Sequence, residues 1–173
     1  MSKYVQYIAP TQPLGGIASR YNYDSNFTYK VLRENNRDIN SKIIQSIDEC
    51  LPLWNTRPTL DTLDKRFHAG SFVMCQYYKG ELCGWFWLNT KFTHDWINTK
   101  EILPNSIYVG GMYKMLDKEL PTNTALDFGN YVMKYGADNY DQLYAIIENW
   151  NKASKAIFAP YKEFIIDESQ HYA

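Results

Sequence analysis

The stretch Ser106 to Ala125 has the pattern of a strand that leads into a helix. Residues Ile107 to Met115 have the character of a strand, a polar turn follows, and a helix is expected to begin near Thr122 to Thr124. Gly110 and Gly111 weaken the middle of the strand unless a bulge or a close backbone approach requires them. Because a helix N-terminus presents unpaired N–H groups and a positive dipole end, the stretch predicts a place for phosphate. An ordinary β-α unit with a flexible strand is the alternative.

The composition favours a single globular domain. The chain has 173 residues, 45% of them hydrophobic, and its 15 Tyr, 8 Phe and 5 Trp argue against disorder. A formal net charge of -1 gives no reason to expect nucleic acid or an anionic membrane as partner. No apolar run approaches the roughly 20 residues of a membrane span, and the N-terminus lacks the apolar core of a signal peptide. We therefore expect a cytoplasmic protein.

The cysteines and histidines indicate no disulfide and no metal site. Cys50, Cys75 and Cys83 are an odd number without a CxxC pair, so they are expected to be buried free thiols in a reducing compartment. The three histidines lack the spacing of metal ligands. We expect no bound metal.

Two segments are predicted along the chain. Residues 1–26 are an N-terminal extension, in which Lys3 to Ile8 has the pattern of a short strand before prolines and glycines break it. Residues 27–173 are predicted to form one domain. Its first predicted elements are the strand Phe27–Arg33, a helix over Ile39–Leu51, a helix over Leu60–Phe67 stopped by Gly70, and a hairpin of Ser71–Tyr78 and Glu81–Leu88 that turns at Lys79-Gly80. The elements that follow are the strand Ile107–Met115, a helix over Thr122–Tyr135, a loop over Gly136–Asp141, the strand Gln142–Glu148, a helix over Asn151–Pro160 and the strand Glu163–Asp167.

Apolar side chains indicate the buried faces of these elements. Leu126, Val132 and Met133 are expected on the apolar side of the helix over Thr122–Tyr135. Trp85 and Trp87 share one face of their strand and Phe86 faces the other, so most of these aromatic side chains are expected in the core. The alternative is that some of these aromatic side chains line a pocket or a partner surface.

This order of elements resembles the GNAT acyltransferases, the acetyl-CoA-dependent N-acetyltransferase family. The likeness covers about Phe27 to Ile166. Four segments resemble family motifs: the polar junction RENNRD at Arg33–Asp38, the turn and strand KGELCGW at Lys79–Trp85, the strand Ile107–Tyr113, and YAIIENWNKASKAIFAPYKEF at Tyr144–Phe164. The resemblance implies an α+β fold with α/β/α layers, in which helices flank a central, mixed and mostly antiparallel sheet.

The resemblance also implies acetyl-CoA as the acyl donor. In the family, the pantetheine arm hydrogen-bonds the backbone of the fourth strand and the pyrophosphate lies on the following loop. The cofactor-binding positions that this implies here are Gly111, Met112, Tyr113 and Lys114 in the strand, Thr122, Asn123, Thr124 and Ala125 in the loop, and Asn151 after the fifth strand.

The predicted phosphate loop departs from the family pattern of Gln or Arg, two residues, Gly, one residue, then Gly or Ala. Leu120 stands at the opening position, Asn123 replaces the first glycine, and Ala125 alone fits. Asn123 would need an unusual backbone conformation to substitute for glycine. We expect the Thr122 and Thr124 hydroxyls, Lys118 and the helix dipole to offset part of this loss. A simple N-cap role for Thr122 is the alternative.

Acetyl transfer to an amine needs a base for the amine and a proton donor for the leaving thiolate. The family supplies the donor as a Tyr in the last helix, but the matching position here is Phe158. Tyr161, about one turn further along, is the candidate donor. Glu148 at the end of the fifth strand is a candidate base, as is Asp95 or His94 in the connection before the fourth strand. Alternatively, these are the polar end of a strand and a solvated loop.

Two functions follow from the resemblance. The first is an N-acetyltransferase whose acceptor is a primary amine of a small molecule or peptide. The second is a non-catalytic domain that binds a protein partner or another ligand through the cleft or a sheet edge. The family's seventh strand is missing, so either Lys3–Ile8 fills that edge or the edge pairs with a second subunit in a homodimer.

Overall fold

The structure of the protein, a computed structural model, describes residues 4–9, 24, 26–33, 38–39, 41–42, 60–91, 104–114, 119–148 and 152–164. Its elements are β1 (Tyr4–Ala9), β2 (Phe27–Leu32), α1 (Leu60–His68), β3 (Phe72–Tyr78), β4 (Glu81–Asn89), β5 (Ser106–Lys114), α2 (Thr124–Asn139), β6 (Gln142–Glu148), α3 (Lys152–Phe158) and a 3₁₀ helix (Ala159–Phe164). Residues 38–39 and 41–42 are also helical, and the other residues of that predicted helix lie outside the described ranges.

The strands form a mixed and mostly antiparallel sheet. β1 pairs with β6, β2 with β3 and β3 with β4 in antiparallel fashion, whereas β5 and β6 are parallel. Together with the flanking helices, this confirms the predicted α+β fold class. Among the described helices, none is long and apolar enough to cross a membrane.

The chain divides into two compact units. The first unit comprises Met1–Asp24, Asn89–Gly110 and Thr122–Ala173, and the second comprises Ser25–Leu88 and Gly111–Pro121. β5 therefore begins in the first unit and ends in the second, and the change falls between its two glycines.

In the first unit, β6 lies between β1 and β5. The antiparallel register places Tyr4 opposite Glu148 and Ala9 opposite Leu143. An N-terminal strand therefore covers this edge of β6, which is the first of the two alternatives that the sequence left open. The division into a 1–26 extension and a 27–173 domain stays a prediction.

The apolar face of α2 consists of Phe128, Val132 and Met133, which are all buried. The expectation that Leu126 is buried with this face is wrong, because its side chain is 42% exposed. Leu126 lies about two turns before Met133 on the same side of the helix, so its exposure follows from its place in the first turn and not from its direction. Within the first unit, Gly129 brings α2 close to α3, since a Cβ on Gly129 would lie 2.1 Å from Cγ2 of Ile157.

Helix α2 is longer than predicted. The prediction of a loop from Gly136 is wrong, because Gly136 is buried within the helix, which continues to Asn139. A Cβ at Gly136 would lie 3.0 Å from Cδ1 of Leu143. This glycine therefore permits close packing on β6 and does not end the helix. The helix ends at Tyr140, whose extended backbone donates its N–H to the Gly136 carbonyl at 2.8 Å.

The C-terminal elements agree with the prediction in part. The predicted helix over Asn151–Pro160 is present as α3 over Lys152–Phe158. The predicted strand over Glu163–Asp167 is wrong at its start, because Glu163 and Phe164 belong to the 3₁₀ helix. Residues 165–167 lie outside the described ranges.

The second unit contains α1 and the strands β4, β3 and β2 in that order. As predicted, α1 ends at a glycine, because Gly70 has a φ of 88°. The Ser71 N–H bonds the Arg66 carbonyl and the Gly70 N–H bonds the Phe67 carbonyl, both at 3.0 Å. This pair of hydrogen bonds is the Schellman arrangement, which satisfies carbonyls at the end of a helix.

The predicted hairpin joins β3 and β4. Lys79 and Gly80 have φ values of 49° and 84°, as the mirror-image turn of a two-residue hairpin requires. Trp85 and Trp87 lie opposite Cys75 and Val73, and these four side chains are in one buried cluster. Most of the aromatic side chains in β4 are therefore core, as expected.

Candidate functional site

The N-terminal end of α2 carries four of the predicted cofactor residues. The helix begins at Thr124, with Asn123 in the N-cap position, and the Asn123 carbonyl accepts the Asp127 N–H at 2.9 Å. Thr122 lies one residue before the N-cap and is exposed, so its alternative role as N-cap is wrong. Ala125 is half-buried and Thr124 is fully buried. Of these four side chains, those of Thr122 and Asn123 are accessible to a ligand.

Asn123 does not adopt the unusual backbone conformation expected of a glycine substitute. Its φ of -86° and ψ of 3° lie outside the left-handed region. Its side chain forms no cap hydrogen bond to α2. The amide nitrogen Nδ2 instead donates to Oδ2 of Asp24 at 3.4 Å. The start of α2 is thereby attached to a residue about one hundred positions earlier in the chain.

Asp127 adds a second carboxylate at the same place. Its side chain is 3% exposed, and Oδ1 accepts the backbone N–H of Asp24 at 3.0 Å. The positive end of the helix dipole favours acidic groups in the first turn. The start of α2 therefore holds two acidic residues, Asp24 and Asp127.

Four further predicted cofactor positions lie in β5. In the described residues, the parallel ladder between β5 and β6 runs from Ser106 opposite Gln142 to Val109 opposite Ala145. Both strands continue beyond it, β5 to Lys114 and β6 to Glu148. The predicted positions Gly111, Met112, Tyr113 and Lys114 all lie in this continuation of β5.

A buried amide fixes β5 just before its glycines. Nδ2 of Asn89, which is 1% exposed, donates to the Tyr108 carbonyl at 3.3 Å. Within the first unit, this bond adds a side-chain anchor to the strand. Sequence reasoning did not identify Asn89, because a single Asn at the end of a predicted strand carries no signal of its partner.

Tyr161, the predicted proton donor, lies in the 3₁₀ helix and is 3% exposed. Its hydroxyl donates to Oδ1 of Asn130 in α2. Phe158, which stands where the family has its tyrosine, is also buried. The structure thus links the Tyr161 hydroxyl to α2 and gives it a hydrogen-bond acceptor.

The remaining candidate residues are less fully described. Glu148 is the last residue of β6, and its backbone lies opposite Tyr4 of β1. Asp95, His94, Asn151 and Lys118 lie outside the described residues. In the part of the chain that the structure describes, no group of three His, Cys, Asp or Glu residues could hold a metal ion.

Sequence reasoning also missed Asp24 and Asp127. An acidic residue in the first turn of a predicted helix is a signal that could have identified Asp127. Asp24 gives no comparable signal, because its contacts to Asn123 and Asp127 join residues that lie far apart in the sequence.

The fold has counterparts among solved structures. An aminoglycoside acetyltransferase from an uncultured soil metagenomic sample, in complex with sisomicin, matches with a TM-score of 0.60 and 10% identity, over 87% of this chain and 96% of that one. A protein described as an acetyltransferase of the GNAT family from Novosphingobium aromaticivorans matches with a TM-score of 0.57 and 11% identity, over 96% of this chain. The C-terminal domain of a protein described as a lysylphosphatidylglycerol synthetase from Agrobacterium fabrum matches with a TM-score of 0.54 and 13% identity, over 95% of this chain.

Some of these matches are partial in length. This chain spans 60% of the Novosphingobium chain, 53% of the Agrobacterium chain and 59% of a functionally unknown conserved protein from Staphylococcus epidermidis. No protein-family model and no curated protein matches the sequence. At identities near 10%, structural likeness shows the fold alone. The fold of this chain is therefore GNAT-like.

Proposed function

We propose that this protein is an acyl-CoA-dependent N-acetyltransferase, which moves an acetyl group from acetyl-CoA to a primary amine of a small molecule or peptide. The observation that carries the proposal is the parallel β5–β6 ladder, which ends at Val109 and Ala145 although both strands continue. In the GNAT fold, the pantetheine arm hydrogen-bonds the fourth strand as an additional strand would. Gly111 to Lys114 would provide those backbone groups here.

The reaction needs few protein groups. The amine attacks the thioester carbon, a C–N bond forms, the C–S bond breaks, and the amine proton leaves to a base while the thiolate takes up a proton. A backbone N–H of β5 would stabilise the oxyanion. Glu148 is the proposed base, with Asp95 as the alternative. Tyr161 is the proposed donor, and its present partner Asn130 would position the phenol.

The predicted pantetheine residues and the predicted pyrophosphate residues differ in how well they fit acetyl-CoA. The extended backbone of β5 suits an amide-rich pantetheine chain. The start of α2 suits a pyrophosphate less well, because Asp24 and Asp127 are both there. This second observation favours the alternative function, a non-catalytic domain that binds a protein partner or another ligand. A homodimer formed through a sheet edge stays a prediction.

A transfer assay tests the proposal. The full chain is incubated with acetyl-CoA and representatives of three amine classes, namely polyamines, aminoglycosides and lysine-containing peptides, and both thiol release and acetylated product are measured. Glu148→Gln should reduce the rate with the accepted amine by about 10²-fold or more, as the loss of a general base does. The exposed Glu119 provides the matched control, because Glu119→Gln removes the same charge elsewhere. Absence of product from all three classes would favour the non-catalytic alternative.

A further inference from the structure

We infer that Asp24 acts as an internal competitor for the anion site at the start of α2, so that a pyrophosphate group binds there only when Asp24 is displaced. We call Asp24 with its two partners, Asn123 and Asp127, the Asp24 latch. The inference concerns the regulation of the site in the proposed function and rests on that function.

The latch is a two-point contact made by one residue. The Asp24 carboxylate accepts a hydrogen bond from Nδ2 of Asn123 at 3.4 Å, and the Asp24 backbone N–H donates to Oδ1 of Asp127 at 3.0 Å. Asp127 is almost fully buried, so its carboxylate is held in place within the first unit. Asp24 is thereby oriented by a donor on one side and an acceptor on the other.

The position of the latch sets its effect on an anion. The positive end of a helix dipole favours one negative group near the first turn, and here the Asp24 carboxylate is already beside the N-cap residue. A pyrophosphate would need the same end of α2 and would be repelled by that carboxylate. Asn123, one of the two accessible side chains among the predicted phosphate residues, already donates to Asp24.

Two substitutions separate charge from contact. Asp24→Asn removes the charge but keeps a backbone N–H and a side-chain oxygen, whereas Asp24→Ala also removes the acceptor for Asn123. Asp141 is exposed and follows the other end of α2, so Asp141→Asn is a control that removes one negative charge from the same unit. Circular dichroism and melting temperature establish that each full-chain variant is folded.

The experiment measures dissociation constants of acetyl-CoA and of inorganic pyrophosphate for the four proteins by isothermal titration calorimetry at low salt. The latch predicts that both Asp24 variants bind each probe at least about fivefold more tightly than the wild type, from the removal of one like charge. It predicts no change for Asp141→Asn.

The outcomes separate the latch from the proposed function. Equal binding of acetyl-CoA by all four proteins would overturn the latch and leave the transferase proposal standing. Tighter binding of pyrophosphate alone by the Asp24 variants, without acetyl-CoA binding, would support the latch and count against the transferase. Failure of every variant to bind either probe at millimolar concentration would overturn both.

Discussion

The Tyr161 hydroxyl donates a hydrogen bond to Oδ1 of Asn130 and so connects the C-terminal 3₁₀ helix to α2. The tyrosine is almost fully buried, and its phenol contacts a residue of the helix whose N-terminus carries the predicted phosphate loop. This relationship gives Tyr161 a structural role whether or not it also transfers a proton. Its two roles can be separated by experiment.

Tyr161→Phe should lower the free energy of unfolding by about 1–3 kcal/mol, because it leaves the Asn130 carbonyl oxygen without the phenol donor. Urea denaturation measures the change. In a double-mutant cycle with Asn130→Ala, the double variant should lose less stability than the sum of the single variants, by about 0.5 kcal/mol or more. Strict additivity would contradict the contact.

The same variants report on catalysis. If Tyr161 protonates the leaving thiolate, kcat should fall further in Tyr161→Phe than in Asn130→Ala, since the second variant keeps the phenol. Equal losses of kcat would assign both residues a positioning role only.

Gly129→Ala should separate α2 from α3. The added Cβ would lie 2.1 Å from Cγ2 of Ile157, a β-branched side chain that cannot rotate freely within its packing. Overpacking of this kind costs about 1–3 kcal/mol of the free energy of unfolding. In the combination with Ile157→Ala, which removes the clashing methyl group, the total loss in urea denaturation should be smaller than the sum of the two single losses. An unchanged free energy of unfolding in Gly129→Ala would contradict this close contact between α2 and α3.

Cys75 should make the protein less stable in alkaline solution. Burial raises the pKa of the Cys75 thiol from 9.0 to about 12, and the opposing influence of Lys30 is smaller. As the pH rises above 9, the unfolded chain loses this proton while the folded chain keeps it. The free energy of unfolding that the neutral thiol contributes is therefore fully present below pH 9 and is lost progressively as the pH rises towards 12.

The measurement compares wild type with Cys75→Ala by urea denaturation at increasing pH. Above pH 9, the wild type should lose up to about 1.4 kcal/mol per pH unit more than the variant. Iodoacetamide at neutral pH should label the Cys75 peptide slowly until urea unfolds the chain, because the side chain is fully buried. Parallel stability curves for the two proteins would contradict the assigned pKa.

Local signals in the sequence predicted most of the elements. Gly70 ends α1 and Lys79-Gly80 turns the hairpin, because both need positive φ angles that glycine adopts readily. The compact apolar run LYAII located β6 at Gln142–Glu148. These features depend on neighbours in the sequence, which the sequence displays directly.

The errors come from contacts between distant residues. Gly136 has the composition of a helix end, yet it lies within α2, where a Cβ would be 3.0 Å from Cδ1 of Leu143. Leu126 is apolar but exposed, since no described element covers that side of the α2 start. Tertiary packing overrides local propensity at both positions.

The candidate site was predictable in outline only. The glycines of β5 and the start of α2 at Thr124 follow from the sequence pattern. The contact of Asp24 with Asn123 does not, because a hydrogen bond between segments so far apart leaves no periodic signal. The hydrogen bonds of Asp24 at the start of α2 therefore could not be predicted from the sequence.

Thermal melting of the full chain with acetyl-CoA, with free CoA, desulfo-CoA and ATP as controls, tests whether the protein binds an acyl-CoA. A ligand that binds only the folded state stabilises it by about 2.7 kcal/mol at 100 times its dissociation constant, which is a readily measured shift in melting temperature. If the protein binds acyl-CoA, acetyl-CoA should raise the melting temperature and ATP should not. The Asp24 latch predicts a larger shift in Asp24→Asn than in the wild type. Unchanged melting of both proteins at millimolar acetyl-CoA would contradict acyl-CoA binding.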